Sequence, residues 1–343
     1  MDYLYLLSHN CQDESRPLEE RQQWANAFTE QSIAIYGKPD IDVARIIEAG
    51  GGDSFIKNYQ PMLDIVNGWL TSRYSYALDA LKLNDKTEKL TPLEISQAFT
   101  DGLNALKAND PRLSDWEVVI TEGATLSCDA GLKQIKIGEN RAAANPKKIK
   151  GLFAHEVLRH CLTAVNGEDL GVVSALPRYI SAEEGFAKIY ETSFSEESQQ
   201  AAMDTYADIS WSIGDLDGEK HTRSQLIQRV LDRKRARGEK VTTKSERIAY
   251  NKANRLFRGT PGTDEVSGVF TKDISYFAGF VPCIEFIKQG LDSGKDINEI
   301  MSFANAAKFD PNDPAQSKYI QSKIMDRYLP KLPLALPDKN SQE

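Results

Sequence analysis

The sequence predicts an α+β protein dominated by helix, on three observations. Most of the 343 residues show apolar side chains recurring at helical spacing. Only residues 116–138 are β-branched and alternating, with Gly and Asp between the runs. The order is helices, a small sheet, one chemically rich helix, then more helices, and no internal repeat is present.

In the first helical stretch Leu18, Trp24, Phe28 and Ile33 recur before Gly37 and Pro39 end the pattern. The next stretch, from Asp53 to Leu83, continues in the same style, and Pro61 is expected to break or kink it. Thr91 can cap a helix, Pro92 suits its first turn and Glu94 completes a capping box, so a helix is predicted to about Ala108. "WEVVIT" (116–121) and "LKQIKIG" (132–138) read as strands, with "ATLSCD" (124–129) a third between them. Asn145 and Pro146 then open a helix whose apolar stripe is Ile149, Phe153, Val157, Cys161 and Val165, with Gly167 expected just past its end. From Ser181 onward the chain again reads as helical, apart from loops rich in Gly, Asp and Pro. The expected organisation is a helical N-terminal region over residues 1–110, a main domain over 111–330 and an extended Pro-rich tail over 331–343.

Composition is that of an ordinary globular protein, 41% apolar and 27% charged. No run approaches the roughly 20 apolar residues that cross a bilayer, and the N-terminus lacks the pattern of a secretory signal. Cys11, Cys128, Cys161 and Cys283 are scattered, which fits free thiols in a reducing compartment and a cytoplasmic protein. A net charge of −8 argues against a nucleic-acid partner. Between Arg229 and Arg258, however, eleven Lys/Arg face three Asp/Glu, a local charge of +8. That run reads either as a solvated helix face or as a docking surface for an acidic partner, centred on Arg233, Lys234, Arg235 and Arg237.

The chemistry concentrates in "FAHEVLRHC" (153–161), which holds two of the four histidines. A hydrolytic zinc site needs three protein ligands, an open position and a carboxylate base. In H-E-x-x-H the histidines stand at i and i+4, about 40° apart around a helix, and both reach one metal. Here His155 and His160 stand at i and i+5, about 140° apart in a regular α-helix. A π-bulge would absorb the extra residue, so shared ligation requires a locally widened helix between them. A third ligand is expected from the next helix, which offers Glu183 and Glu184. Spacing alone does not choose between them, and Ser181 and Glu184 also read as a capping box.

Together, "HEVLRHCLTAVNG" and "LPRYISAEEGFAKIYE" resemble the HExxxH and QEGLA signatures of the microtubule-associated tyrosine carboxypeptidase family. "ANRLFRG" (253–259) and "VFTKDISYFAGF" (269–280) resemble its downstream blocks, and the likeness is close over about residues 110–285. The resemblance implies a zinc-metallopeptidase-like fold, zinc ligands at His155, His160 and Glu184, and a base at Glu156. It also implies action on protein C-termini, in the eukaryotic members the terminal tyrosine of α-tubulin. Two positions depart from the pattern: Glu183, where the family commonly has glutamine, and Phe186, where leucine is common. A second carboxylate beside the metal would alter the local charge.

On this assignment the expected function is a zinc-dependent metallocarboxypeptidase, with Glu156 activating the water held at the zinc. It would remove a tyrosine-like or acidic terminal residue from a protein or peptide tail. The alternatives are a zinc-stabilised protein that binds an acidic partner without cleaving it, and a zinc endopeptidase with a specific target. Arg178, Arg255, Arg258 and Lys272 are candidates for gripping a terminal carboxylate. Tyr179 and Tyr276 are candidates for donating to the oxyanion. The strand "LKQIKIG", placed at a sheet edge, would pair with an extended substrate.

Overall fold

The computed structural model describes residues 2–50, 52–83, 89–195 and 197–328; the Pro-rich tail lies outside the described residues. Helices α1 (Asp2–Gln12) and α2 (Leu18–Tyr36) pack on each other, and α3 (Ile41–Glu48) follows. Gly37 ends α2 at φ 87°, a left-handed conformation that a side chain would strain. Helix α4 (Gly52–Ala80) runs through Pro61 instead of breaking there, and its departure from helical geometry falls at Tyr74. Pro61 is solvent-exposed, so water can satisfy the carbonyl that its missing N–H leaves free. Helix α5 (Pro92–Asn109) begins as expected: Thr91 Oγ1 accepts from the Glu94 N–H at 3.4 Å, and Glu94 Oε2 accepts from the Thr91 N–H at 2.8 Å.

The sheet has three strands, β1 (Glu117–Thr121), β2 (Leu126–Asp129) and β3 (Gln134–Gly138), in spatial order β1-β3-β2. β3 runs parallel to β1, with Ile135 opposite Val118, and antiparallel to β2, with Ile135 opposite Cys128. The "LKQIKIG" strand is therefore central, which corrects its expected place at the edge. Ile135 and Ile137 have no exposed surface, whereas β1 and β2 are only partly buried. The strand with the two most apolar inward positions takes the middle.

The next helix is one rod in three parts: α6 (Pro146–Phe153), a π-helical segment (Ala154–Cys161) and α7 (Leu162–Asp169). Asn145 caps it, its Oδ1 accepting from the Lys148 N–H at 2.8 Å. The rod passes Gly167, where it was expected to stop, and ends at Asp169, with Gly171 at φ 70° just beyond it. Gly167 instead lets the helix approach Val172 and Ala307 closely.

Eight further helices follow among the described residues: α8 (Ile180–Phe194), α9 (Glu197–Ser212), α10 (Arg223–Ala236), α11 (Thr243–Leu256), α12 (Ser275–Ala278), α13 (Phe280–Asp292), α14 (Ile297–Ala304) and α15 (Pro314–Tyr328). Helix α8 is the hub, packed against α4, α6, the π-helical segment, α12 and α13. It meets α12 nearly backbone to backbone, because a Cβ on Gly185 would collide with the Gly279 carbonyl and one on Gly279 with the Ser181 carbonyl. The main core joins Leu63, Phe99, Trp116, Ile135, Phe153, Phe186 and Ile284, so it is continuous across position 110. A second core joins α3, α9, α10, α11 and α12 around Met203, Leu226, Leu256 and Phe277. Among the described residues no helix is long and apolar enough to cross a membrane.

The basic stretch lies on α10 and α11, and much of its charge is paired within the chain. Arg233 Nη2 and Arg229 Nε donate to Asp208 Oδ1 at 2.5 and 3.2 Å, and Lys252 Nζ meets Asp208 Oδ2 at 2.5 Å. Arg237 Nη2 bonds Asp204 at 2.8 Å and Arg235 Nη1 bonds Asp232 at 2.5 Å, while Lys234 pairs with Glu239. The docking surface expected at these four residues is thus built largely from charges with intrachain partners.

Candidate active site

The π-helical segment solves the spacing problem posed by the sequence. Under-winding from i→i+4 to i→i+5 bonding brings residues five apart onto one face. His155 and His160 stand side by side, ring centroids 4.9 Å apart. Their Nε2 atoms are each 3.7 Å from Oε2 of Glu184 on α8. The three potential ligand atoms lie within 4.8 Å of one another. Glu184 Oε2 is sealed from solvent and has no hydrogen-bond partner.

Each histidine is held from behind. His155 Nδ1 lies 3.0 Å from Glu191 Oε2 and His160 Nδ1 lies 2.7 Å from Glu183 Oε1. A carboxylate only accepts, so in the neutral rings the proton sits on Nδ1 and Nε2 presents a lone pair. Both Nε2 atoms therefore face Glu184 as potential donors to a cation. The sequence left Glu183 and Glu184 open, and the geometry separates them: Glu184 faces both rings, while Glu183 orients one of them. The capping-box alternative does not hold, because α8 starts at Ile180 with no side-chain cap. Ser181 lies inside the helix.

The departure at Glu183 has a local counterpart. Arg159, with no exposed surface, donates from Nη2 to Glu183 Oε2 at 2.7 Å. Its Nη1 donates to the Ala304 carbonyl at 2.8 Å and to Asn305 Oδ1 at 2.7 Å, and its guanidinium lies over the Phe186 ring at 4.8 Å. Both departing residues thus touch the same arginine. Burial opposes the Glu183 carboxylate, but Arg159 and His160 outweigh it and hold its pKa well below the ordinary range. Glu191 is held low in the same way, where Lys188 and His155 outweigh burial. For His160, burial works against the charged ring, yet the hydrogen bond to Glu183 and the charges of Glu183 and Glu184 outweigh it and lift its pKa to about 10.

Glu156 is only 7% exposed and has no hydrogen-bond partner among the described residues. Burial pushes its pKa up; His155 and His160 pull it down, and Glu184 and Glu191 push it up again. Tyr276 has Glu184 and Asp273 as acidic neighbours, and burial first, then those charges, raise its hydroxyl. Tyr179 is raised by burial and by Glu183 and Glu184.

The candidate carboxylate-binding residues separate clearly. Arg255 is a bidentate partner of Asp273, Nε to Oδ2 at 2.9 Å and Nη2 to Oδ1 at 3.1 Å. Arg258 lies over the Phe270 ring at 4.2 Å and 3.9 Å from Asp273. Arg178 is exposed, at φ 61°. Lys272 alone of the four lines the cavity of about 180 Å³ that opens beside His160, Glu183 and Glu184. Tyr179, Cys128 and Lys308 line it too. The sequence reading missed Lys308, Arg159, Glu191 and the half-buried Arg141, which has Glu156 and Glu191 as acidic neighbours. Glu191 had a signal: Glu184, Lys188 and Glu191 fall at i, i+4 and i+7 of one helix face.

Residues 239–304 match the family described as microtubule-associated tyrosine carboxypeptidase, the same family that the motifs resemble. The matched segment contains Arg255, Arg258, Lys272 and Tyr276, while His155, Glu156, His160 and Glu184 precede it. No curated protein and no solved structure matches the chain. Over the matched segment, the chain is similar to a family of carboxypeptidases.

Proposed function

We propose that the protein is a zinc-dependent metallocarboxypeptidase that removes the last residue of a protein or peptide tail. The observation that carries this reading is Glu184 Oε2, unpartnered and sealed from solvent, facing two imidazole Nε2 atoms at 3.7 Å. A lone acceptor in such a place is costly unless a cation completes it. Two imidazole nitrogens and a carboxylate match the donor set of hydrolytic zinc sites. His155, His160 and Glu184 would hold the ion, with Glu191 and Glu183 fixing the rings. When bound, zinc would lower the pKa of water at the open position toward 7 and polarise the scissile carbonyl.

The chain's own residues supply the rest. Glu156 takes a proton from the attacking water and returns it to the leaving amine. Burial raises its pKa in the metal-free protein. The Tyr276 hydroxyl, held protonated by burial and acidic neighbours, donates to the developing oxyanion. β2 is a sheet edge beside the π-helical segment, and its Cys128 borders the cavity, so an extended tail would lie along it. The described family acts on a terminal tyrosine, as its name states, and a tyrosine-like or acidic terminal residue is the proposed target here. Four free cysteines fit work in the cytoplasm.

The test is cleavage of short peptides by the zinc-supplemented protein, with release of the terminal residue followed by mass spectrometry. Wild type should shorten peptides by one residue, and Glu156→Gln should keep zinc while losing turnover. Full activity in Glu156→Gln would remove the proposed base.

A further inference from the structure

We propose that Lys272 and Lys308, together with the Tyr179 hydroxyl, form a carboxylate-binding subsite in the cavity beside His160 and Glu184. Lys272 reaches the cavity from the 3-10 turn Thr271–Ile274 and Lys308 from the segment after α14, both half-buried. Neither ammonium has a hydrogen-bond or ion-pair partner among the described residues, and the Tyr179 hydroxyl also has none. Three other basic residues close to the site are paired with acids: Arg255 holds Asp273, Arg159 holds Glu183 and Lys188 holds Glu191.

The two acids lining the cavity do not account for the lysines. Glu183 has both oxygens occupied, Oε1 by His160 and Oε2 by Arg159. Glu184 turns its Oε2 toward the two histidines. With Glu183 paired to Arg159 and Glu184 facing the histidines, the rest of the lining includes two lysines and one tyrosine. That set complements a carboxylate, which accepts charge-assisted hydrogen bonds from several donors at once. Arg141, the other half-buried cation near the site, has Glu156 and Glu191 as its neighbours and does not line this cavity.

This inference rests on the peptidase reading for the nature of the ligand, a peptide carboxylate. Two sources share that chemistry: the free α-carboxylate of the last residue and an acidic side chain just before it. Binding is measured by fluorescence anisotropy on Glu156→Gln protein, with and without zinc. The probes are a peptide ending in a free tyrosine, its C-terminal amide, and an amide with glutamate before the last residue. The free acid or the glutamate amide should bind at least about tenfold more tightly than the plain amide. Lys272→Met and Lys308→Met should each reduce that preference about tenfold, Lys308→Arg should retain it, and circular dichroism melts should show all variants folded.

Equal binding of the three probes would overturn the proposal. So would a preference that survives both lysine substitutions, and its loss in Arg141→Gln would then move the subsite to that residue. A lysine-dependent preference in a protein that cleaves no peptide would leave the subsite standing and remove the hydrolase reading.

Discussion

Asp208 on α9 and Glu184 on α8 are both carboxylates set into a cluster of ionisable side chains, yet the two clusters finish differently. Around Asp208, Arg229, Arg233 and Lys252 supply contacts to both oxygens, and the group has no exposed surface. Burial opposes its charge, but Lys252 and Arg233 outweigh it and hold the pKa at about 2. Around Glu184 the neighbours are two imidazoles and further carboxylates, and Oε2 has no donor. One cluster is closed and joins three helices. The other stops one cation short. A buried carboxylate with cations on both oxygens is read as structure, whereas one whose buried oxygen has no donor and is flanked by oriented lone pairs is read as a place for a ligand.

The comparison is tested by substitutions that treat the two clusters differently. The largest expected effect is on chemistry: Glu156→Gln should lower turnover by about two to four orders of magnitude with little change in thermal stability. Next, Asp208→Asn should destabilise by about 3–5 kcal/mol, because Lys252 loses its counterion and Arg229 and Arg233 lose their most buried one, while leaving zinc affinity unchanged. Denaturant melts and zinc titrations on the same samples separate those two outcomes. Conversely, Glu184→Gln should cost less stability without metal than Asp208→Asn does, since no donor lies within hydrogen-bonding distance of the Glu184 Oε2. It should lose the stabilisation of about 2.7 kcal/mol expected of wild type at zinc 100-fold above its Kd.

Glu183 stands between the two types, because it closes an ion pair with Arg159 and orients His160. Glu183→Ala should weaken zinc binding about 10–100-fold, the usual cost of losing a residue that orients a ligand. The smallest expected effect is a pH dependence. The Asp208 pKa is depressed in the fold, so its contribution is present in full above the ordinary value of 3.8 and is lost as pH falls through about 2. The stability gap between wild type and Asp208→Asn should therefore shrink by about 2 kcal/mol over that window. A gap independent of pH would mean that the closed cluster is not held by its charge.

What the sequence made legible was local. The capping box at Thr91 and Glu94 and the Asn145–Pro146 start depend on neighbouring residues, and both appear as expected. The π-helical segment was legible because ligand spacing and helix pitch are linked by geometry alone. A second signal supports it: the stripe Ile149, Phe153, Val157, Cys161, Val165 repeats every four residues and is buried throughout. In a regular α-helix that repeat would drift about 40° per step, and an under-wound stretch removes part of the drift.

What was not legible depends on tertiary placement. Strand order could not be read, because β3 inserts between β1 and β2 on the strength of its burial. Glu183 and Glu184 differ by one step of helix phase, which only the packing of α8 against the π-helical segment resolves. Lys308 reaches the cavity from more than a hundred residues beyond the histidines. The basic run on α10 and α11 looked like a surface because its partners Glu48, Asp204 and Asp208 come from α3 and α9.

The most direct test of the open cluster is a calorimetric zinc titration of the chelator-treated protein. One zinc per chain should bind to wild type, Asp208→Asn and Cys128→Ser alike, and Glu184→Gln should bind it at least about tenfold more weakly. No zinc uptake by wild type, or wild-type affinity in Glu184→Gln, would contradict a metal centre at His155, His160 and Glu184.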